Sequence, residues 1–210
     1  MVNAFYSSIE NSIQFPAGIL QGNFFGSDRP AYMNYGGIGW VIGHEITHGF
    51  DDQGRQYDSV GNLKNWWRDA TKGNPRTTRV CLTLNVSSVI NRNHPTRSTP
   101  SKIMTLDQFL ERSNCIIWQY GNYTAKSVNQ TLNGVNTQGE NIADNGGIKE
   151  AYRAYNSWVG RHGSEGRLPG LEKYSQHQVG ERAKYLSSDQ IRKYPVEWQT
   201  VLKCLKCHKW

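Results

Sequence analysis

Residues 44–48 read His-Glu-Ile-Thr-His. Positions four apart share one face of a helix, so His44 and His48 can aim two imidazoles at one point. That is the bite a tetrahedral Zn²⁺ ion needs. Glu45 stands beside the first imidazole, poorly placed as a ligand but able to accept a proton from a metal-bound water. The chemistry such a set performs is hydrolysis. A catalytic zinc keeps three protein ligands and one open position, so a third ligand has to come from elsewhere in the chain. The other histidines, His94, His162, His177 and His208, lie in Pro-, Gly- or Lys-rich surroundings with no partner at ligand spacing. Residues 140–144, Glu-Asn-Ile-Ala-Asp, instead place two carboxylates four apart. Two readings fit them. Thr137-Gln138-Gly139-Glu140 matches a capping box, in which Glu140 closes a helix start. Alternatively Glu140 is the third ligand and Asp144 accepts a hydrogen bond from a ligand imidazole. Spacing alone favours neither.

These side chains need helices to carry them. Ile38, Val41, Ile42 and Ile46 recur at helical spacing, which predicts an amphipathic or buried helix over about 37–50. Gly39 and Gly43 would let another element approach that helix closely. Gly49 would loosen its end, where Asp51 and Asp52 follow. One of these acids could orient a ligand histidine, or both could belong to a solvated turn. Further helices are expected over 106–121 and 138–160, with Trp66 and Trp67 in a shorter one. In the helix over 138–160, Ile142, Ile148, Ala151, Tyr152, Tyr155, Trp158 and Val159 should face the core. Residues 1–35 should supply an extended edge and loops beside the cleft. The expected fold is therefore mainly α with a small extended segment.

The chain resembles the neprilysin and endothelin-converting-enzyme family of zinc metallopeptidases. The likeness rests on Val2-Asn3-Ala4-Phe5-Tyr6, Phe15-Pro16-Ala17-Gly18-Ile19-Leu20-Gln21, the run from Asn34 to Asp52, and Trp66-Trp67. It continues in Gln119-Tyr120-Gly121-Asn122-Tyr123, Leu132-Asn133-Gly134 and Glu140 to Gly147, and covers residues 2–72 and 109–178. The resemblance implies a mainly α, zincin-like catalytic domain that cuts peptides on the amino side of hydrophobic residues. It implies one Zn²⁺ held by His44, His48 and Glu140, with Glu45 as general base and Asp144 orienting a ligand histidine. Asn3 and Ala4 match the segment that bonds the substrate backbone as an added strand would. Family members are type II membrane proteins or secreted, so an extracellular or cell-surface setting is expected.

Two segments depart from the family. Residues 73–108, with Thr-Arg-Ser-Thr-Pro-Ser at 96–101, lack a period and read as loop. Either a surface insertion or translated intron would account for them. From Val179 to Trp210 the family's oxyanion-stabilising His and nearby Arg are absent. The resemblance also implies an amino-terminal half that closes over the active site, and residues 1–210 are expected not to include it. A domain over 1–178 with a divergent basic tail over 179–210 is the expected organisation. A catalytically impaired zinc-binding piece of the family is the alternative to a working peptidase.

The net charge of +7 is concentrated in those segments. Residues 73–108 hold five basic residues against Asp107, and 179–210 hold seven against three acidic ones. No aromatic-interleaved basic stripe appears, so peptides, not nucleic acid, are the expected partners. No apolar run approaches the length of a membrane span, so this segment should make no membrane contact. The resemblance implies that Cys115 pairs with Cys207 of the terminal Cys-His-Lys-Trp. Asn85, Asn122 and Asn129 open glycosylation sequons.

Overall fold

In the computed structural model, which describes residues 1–67, 106–126 and 128–180, helix begins immediately after Pro30. Proline is suited to a helix start because its missing N–H would be unpaired there. Helix α1 (Ala31–Asn34) runs into a π turn (Tyr35–Gly39) and then into α2 (Trp40–His48). The run thus begins about six residues before the expected start, and it ends at His48. Pro30 offers no side-chain cap. The cap comes from far along the chain: the Glu165 carboxylate accepts the N–H of Ala31 at 2.7 Å and of Tyr32 at 3.1 Å. Replacing Glu165 with Ala should cost about 1–2 kcal/mol, the range of a lost helix cap. Thermal denaturation would then show the midpoint falling by about 2–8 °C.

The π turn is where three glycines cluster. Within it the Ile38 N–H leaves the helix ladder and donates to the Phe24 carbonyl at 2.8 Å. That bond satisfies the amide that the wider turn frees, and it pins the loop at residue 24 to the helix. Ile19, Phe24, Ile38, Trp40 and Val41 form one core cluster with Ala4 and Ala151. Ile42 points outward at 37% exposure, contrary to the simple apolar stripe. The buried positions are 40, 41, 43, 45 and 47, because α2 is covered on more than one side.

Helix α3 (Leu106–Gly121) and helix α4 (Gln138–His162) match the expected helices closely. On α3 the buried Phe109, Ser113, Ile116 and Tyr120 recur every three or four residues; the three apolar ones cluster with Ile142 of α4, and the Ser113 hydroxyl donates to Gln138 Oε1 at 2.9 Å. A third cluster joins Tyr32 and Val179 to Tyr155 of α4. Helix α4 therefore contributes to every core cluster. Its expected core face is present except at Tyr152, which is 44% exposed and stacks flat on His177 at 4.3 Å. Buried positions on α4 also include Asn141, Asp144 and Glu150, so polar side chains are packed on more than one side of it.

Helices α2 and α4 cross at glycines. A Cβ on Gly43 would lie 2.9 Å from the Gly147 Cα and carbonyl oxygen. A Cβ on Gly147 would lie 2.7 Å from the His44 N and the Trp40 O. The backbones thus touch, as Gly43 predicted. Gly39 makes no such approach: its neighbours belong to its own helical run.

Strands β1 (Phe5–Ser7) and β2 (Ser12–Gln14) form an antiparallel hairpin with Phe5 opposite Gln14. Strands β3 (Thr124–Ala125) and β4 (Gln130–Thr131) form a second, shorter one. Trp66 and Trp67 do not lie in a helix. Their indole N–H groups donate to the carbonyls of Tyr57 and Arg55, at 2.7 and 3.0 Å, which holds the pair stacked on the preceding loop. Of the expected insertion, residues 106–108 open α3 and the rest lies outside the described residues, as do 181–210 of the expected tail. Cys207, the expected partner of Cys115, falls there too.

Candidate metal centre

Because α2 and α4 touch at Gly43 and Gly147, the side chains within two turns of that crossing converge. His44 and His48 stand one above the other on α2, rings at 4.5 Å, with their Nε2 atoms 2.9 Å apart. The Glu140 carboxylate on the first turn of α4 lies 3.3 Å from His44 Nε2 and 3.7 Å from His48 Nε2. The three ligand atoms fall within 4.8 Å of one another.

The opposite edge of each imidazole is fixed by a carboxylate. His44 Nδ1 meets Asp144 Oδ1 at 2.9 Å, and His48 Nδ1 meets Asp51 Oδ2 at 2.7 Å. A carboxylate only accepts, so each Nδ1 donates and the two Nε2 atoms are left facing each other. Two lone pairs facing at 2.9 Å repel unless a proton or a cation lies between them. A tetrahedral zinc with Zn–N near 2.0–2.1 Å holds its ligand atoms about 3.3 Å apart. The separations found here bracket that value, and the donor set of two imidazoles and a carboxylate is one zinc accepts.

Asp51 is itself held. Its Oδ1 accepts the N–H of Gln53 at 2.8 Å and of Gly54 at 2.7 Å. Of the two readings for the acids after α2, Asp51 is thus the histidine partner and Asp52 is not. The capping box is not formed either. Thr137 makes no side-chain cap bond; its hydroxyl donates to the Asn133 carbonyl and accepts from Asn141 Nδ2. Glu140 is free to face the histidines, with 59% of its side chain exposed toward the cleft.

Electrostatics follow the geometry. Burial opposes charge on His44, but hydrogen bonds to Asp144 and Glu140 outweigh it and raise its pKa to about 9. The same bond to His44 holds the Glu140 carboxyl below its usual range. Glu45, only 6% exposed, is pushed up chiefly by burial; His44 and His48 pull it partly back, and Glu140 adds to the rise. Metal binding must displace the His44 proton anywhere below pH 9. Zinc affinity should therefore rise about tenfold per pH unit from pH 7 and level off above 9. Competition with a zinc indicator across that range would measure the slope.

A cleft of about 450 Å³ opens over this cluster. Glu45, Asn3 and Ala4 line it together with His44, His48 and Glu140, and Asp144 stands behind His44. All seven expected site residues are thus brought to one place. The cleft also includes Phe5, Tyr6, Trp40, Val41 and Gln53, which the sequence reading did not single out. Tyr6 could have been found from the strand alternation that places it two residues after Ala4. His162 stacks on Trp158 and His177 on Tyr152, both away from the cluster.

Comparison with known proteins agrees with this geometry. The family model described as Peptidase family M13 matches residues 3–102 and 99–180. Neprilysin-2 of Drosophila melanogaster is 53% identical over 179 residues, 85% of this chain and 19% of that protein. Neprilysin of Homo sapiens is 44% identical over 173 residues, 82% of this chain and 18% of its own length. The chain thus spans about a fifth of the curated relatives it matches. Among solved structures, the Mycobacterium tuberculosis zinc metalloprotease ZMP1 in complex with inhibitor superposes with a TM-score of 0.63 at 35% identity. It covers 87% of this chain and 23% of that one. The Haemonchus galactose-containing glycoprotein complex gives 0.64 at 33% identity, covering 89% of this chain and 24% of its own.

Proposed function

Since the chain belongs to peptidase family M13, we propose that it carries the catalytic centre of a zinc metalloendopeptidase. The observation that supports this best is the pair of facing Nε2 atoms with the Glu140 carboxylate beside them. His44, His48 and Glu140 would hold the ion. When bound, zinc acts as a Lewis acid on the scissile carbonyl and makes water a usable nucleophile near neutral pH.

The remaining roles belong to the protein's own groups. Asp144 and Asp51 keep both imidazoles in the tautomer that leaves Nε2 available. Glu45 takes the proton from the attacking water and returns it to the leaving amine, a role its burial-raised pKa suits. The backbone at Asn3 and Ala4, which line the cleft immediately before β1, would pair with an extended peptide as an added strand. Phe5, Trp40 and Val41 give the cleft apolar walls, which suits cleavage on the amino side of hydrophobic residues. The setting proposed is extracellular or cell-surface, and the likeness to neprilysins supports it. Asn122 and Asn129 are exposed, as glycan acceptors there would be. Among the described residues no helix is long and apolar enough to cross a membrane.

Zinc content and turnover of a quenched hydrophobic peptide test the reading together. One zinc per chain with cleavage supports it. A purified, folded chain that takes up no zinc would sink it.

A further inference from the structure

Gly139 stands between two parts of the centre that are remote in sequence. It immediately precedes Glu140 on the first turn of α4. It also faces the loop after α2: a Cβ built on it would lie 2.8 Å from Asp52 Oδ1 and 3.2 Å from Asp51 Oδ2. Asp51 Oδ2 is the atom bonded to His48 Nδ1. Asp51 cannot swing away, because its other oxygen is tied to the amides of Gln53 and Gly54. Asp52 is held from its outer side by Gln53 Nε2, and its buried Oδ1 makes no hydrogen bond among the described residues.

That unpaired oxygen has a physical reason to be there. The first turn of α4 lacks a side-chain cap from Thr137, and the start of a helix carries partial positive charge. Two carboxylates set against it are attracted without needing a hydrogen bond. Any side chain at 139 would push into this contact.

We propose that Gly139 is a positioning residue for the metal centre. By seating the Asp51–Asp52 pair against the start of α4, it sets the His48 orientation and the Glu140 position together. This rests on the zinc reading above, and the test separates the two.

The 210-residue chain and Gly139→Ala are compared in two ways. In the metal-free proteins, proton NMR follows the low-field Nδ1–H of His48, assigned by its absence from His48→Ala. In titrations with zinc alone, an indicator reads affinity. The expected result is a shifted or broadened His48 signal and about 10–100-fold weaker zinc binding, the range for losing a partner of a ligand histidine. Adding Asp52→Gly to Gly139→Ala removes the closest clash and should recover most of the loss. An unchanged His48 signal in Gly139→Ala overturns the proposal, as does a loss that Asp52→Gly leaves in place. If Gly139→Ala unfolds, refolding by the second substitution supports the contact and failure to refold overturns it. A wild-type chain that binds no zinc refutes the metal reading, while the His48 signal still decides this one.

Discussion

Glu45→Gln should leave one zinc bound per chain and lower peptide turnover by about 10²–10⁴-fold, the usual contribution of a general base. The substitution keeps size and shape but removes the ability to take a proton. Glu45 is buried in the cleft next to His44, and no ligand atom belongs to it. Zinc content should therefore be unchanged, and the loss should fall on kcat, with KM little affected. Equal turnover by the two proteins would remove Glu45 from the mechanism. Zinc bound by the unsubstituted chain without turnover would favour the impaired, zinc-binding reading raised by the divergent segment after Gln178.

Gly147→Ala should lose both stability and zinc. Helix propensity alone predicts the opposite sign, since alanine favours a helix interior by about 1 kcal/mol over glycine. The contact decides the matter. The new methyl would meet the His44 N and the Trp40 O at 2.7 Å and the His44 Cα at 3.1 Å. These are backbone atoms of the helix bearing both histidines, so relief requires the helices to separate. Overpacking of this kind costs about 1–3 kcal/mol. Separation also lengthens the 2.9 Å bond between His44 and Asp144, which should weaken zinc binding by about 10–100-fold. Gly160→Ala supplies the contrast on the same helix. Nothing lies within 4 Å of its added methyl, so it should stabilise by roughly 0.5–1 kcal/mol. Denaturant unfolding of the two variants would check both signs. Gly147→Ala matching Gly160→Ala would refute the close crossing.

The parts of the site that could be read in the sequence are those held within one turn of one helix. His44, Glu45 and His48 share α2, and Glu140 and Asp144 share α4, so spacing alone placed each set on a face. What could not be read depends on which of several partners a group takes. Glu140 as cap or ligand turned on whether the Thr137 hydroxyl caps the helix, and it donates to the Asn133 carbonyl instead. Asp51 and Asp52 are adjacent acids that only the amides of Gln53 and Gly54 distinguish. The helix start at Ala31 was hidden because its cap is Glu165 and because the π turn breaks the 3.6-residue period. Trp66 and Trp67 read as helical, but their indoles answer carbonyls nine and twelve residues back.

The remote cap at Glu165 bears on how the centre assembles in time. His44 meets Asp144 across 100 residues, and Ala31 meets Glu165 across 134. Closing loops of that length comes late in folding, after local helices have formed. As the chain lengthens during synthesis, α2 is complete long before its second histidine partner, its third ligand or its cap has been made. A metal ion met early finds at most the two histidines of α2. Loading is therefore coupled to the last long-range closures, and chains ending between residues 144 and 165 would hold all three proposed ligands while the helix start at Ala31 stays unfastened.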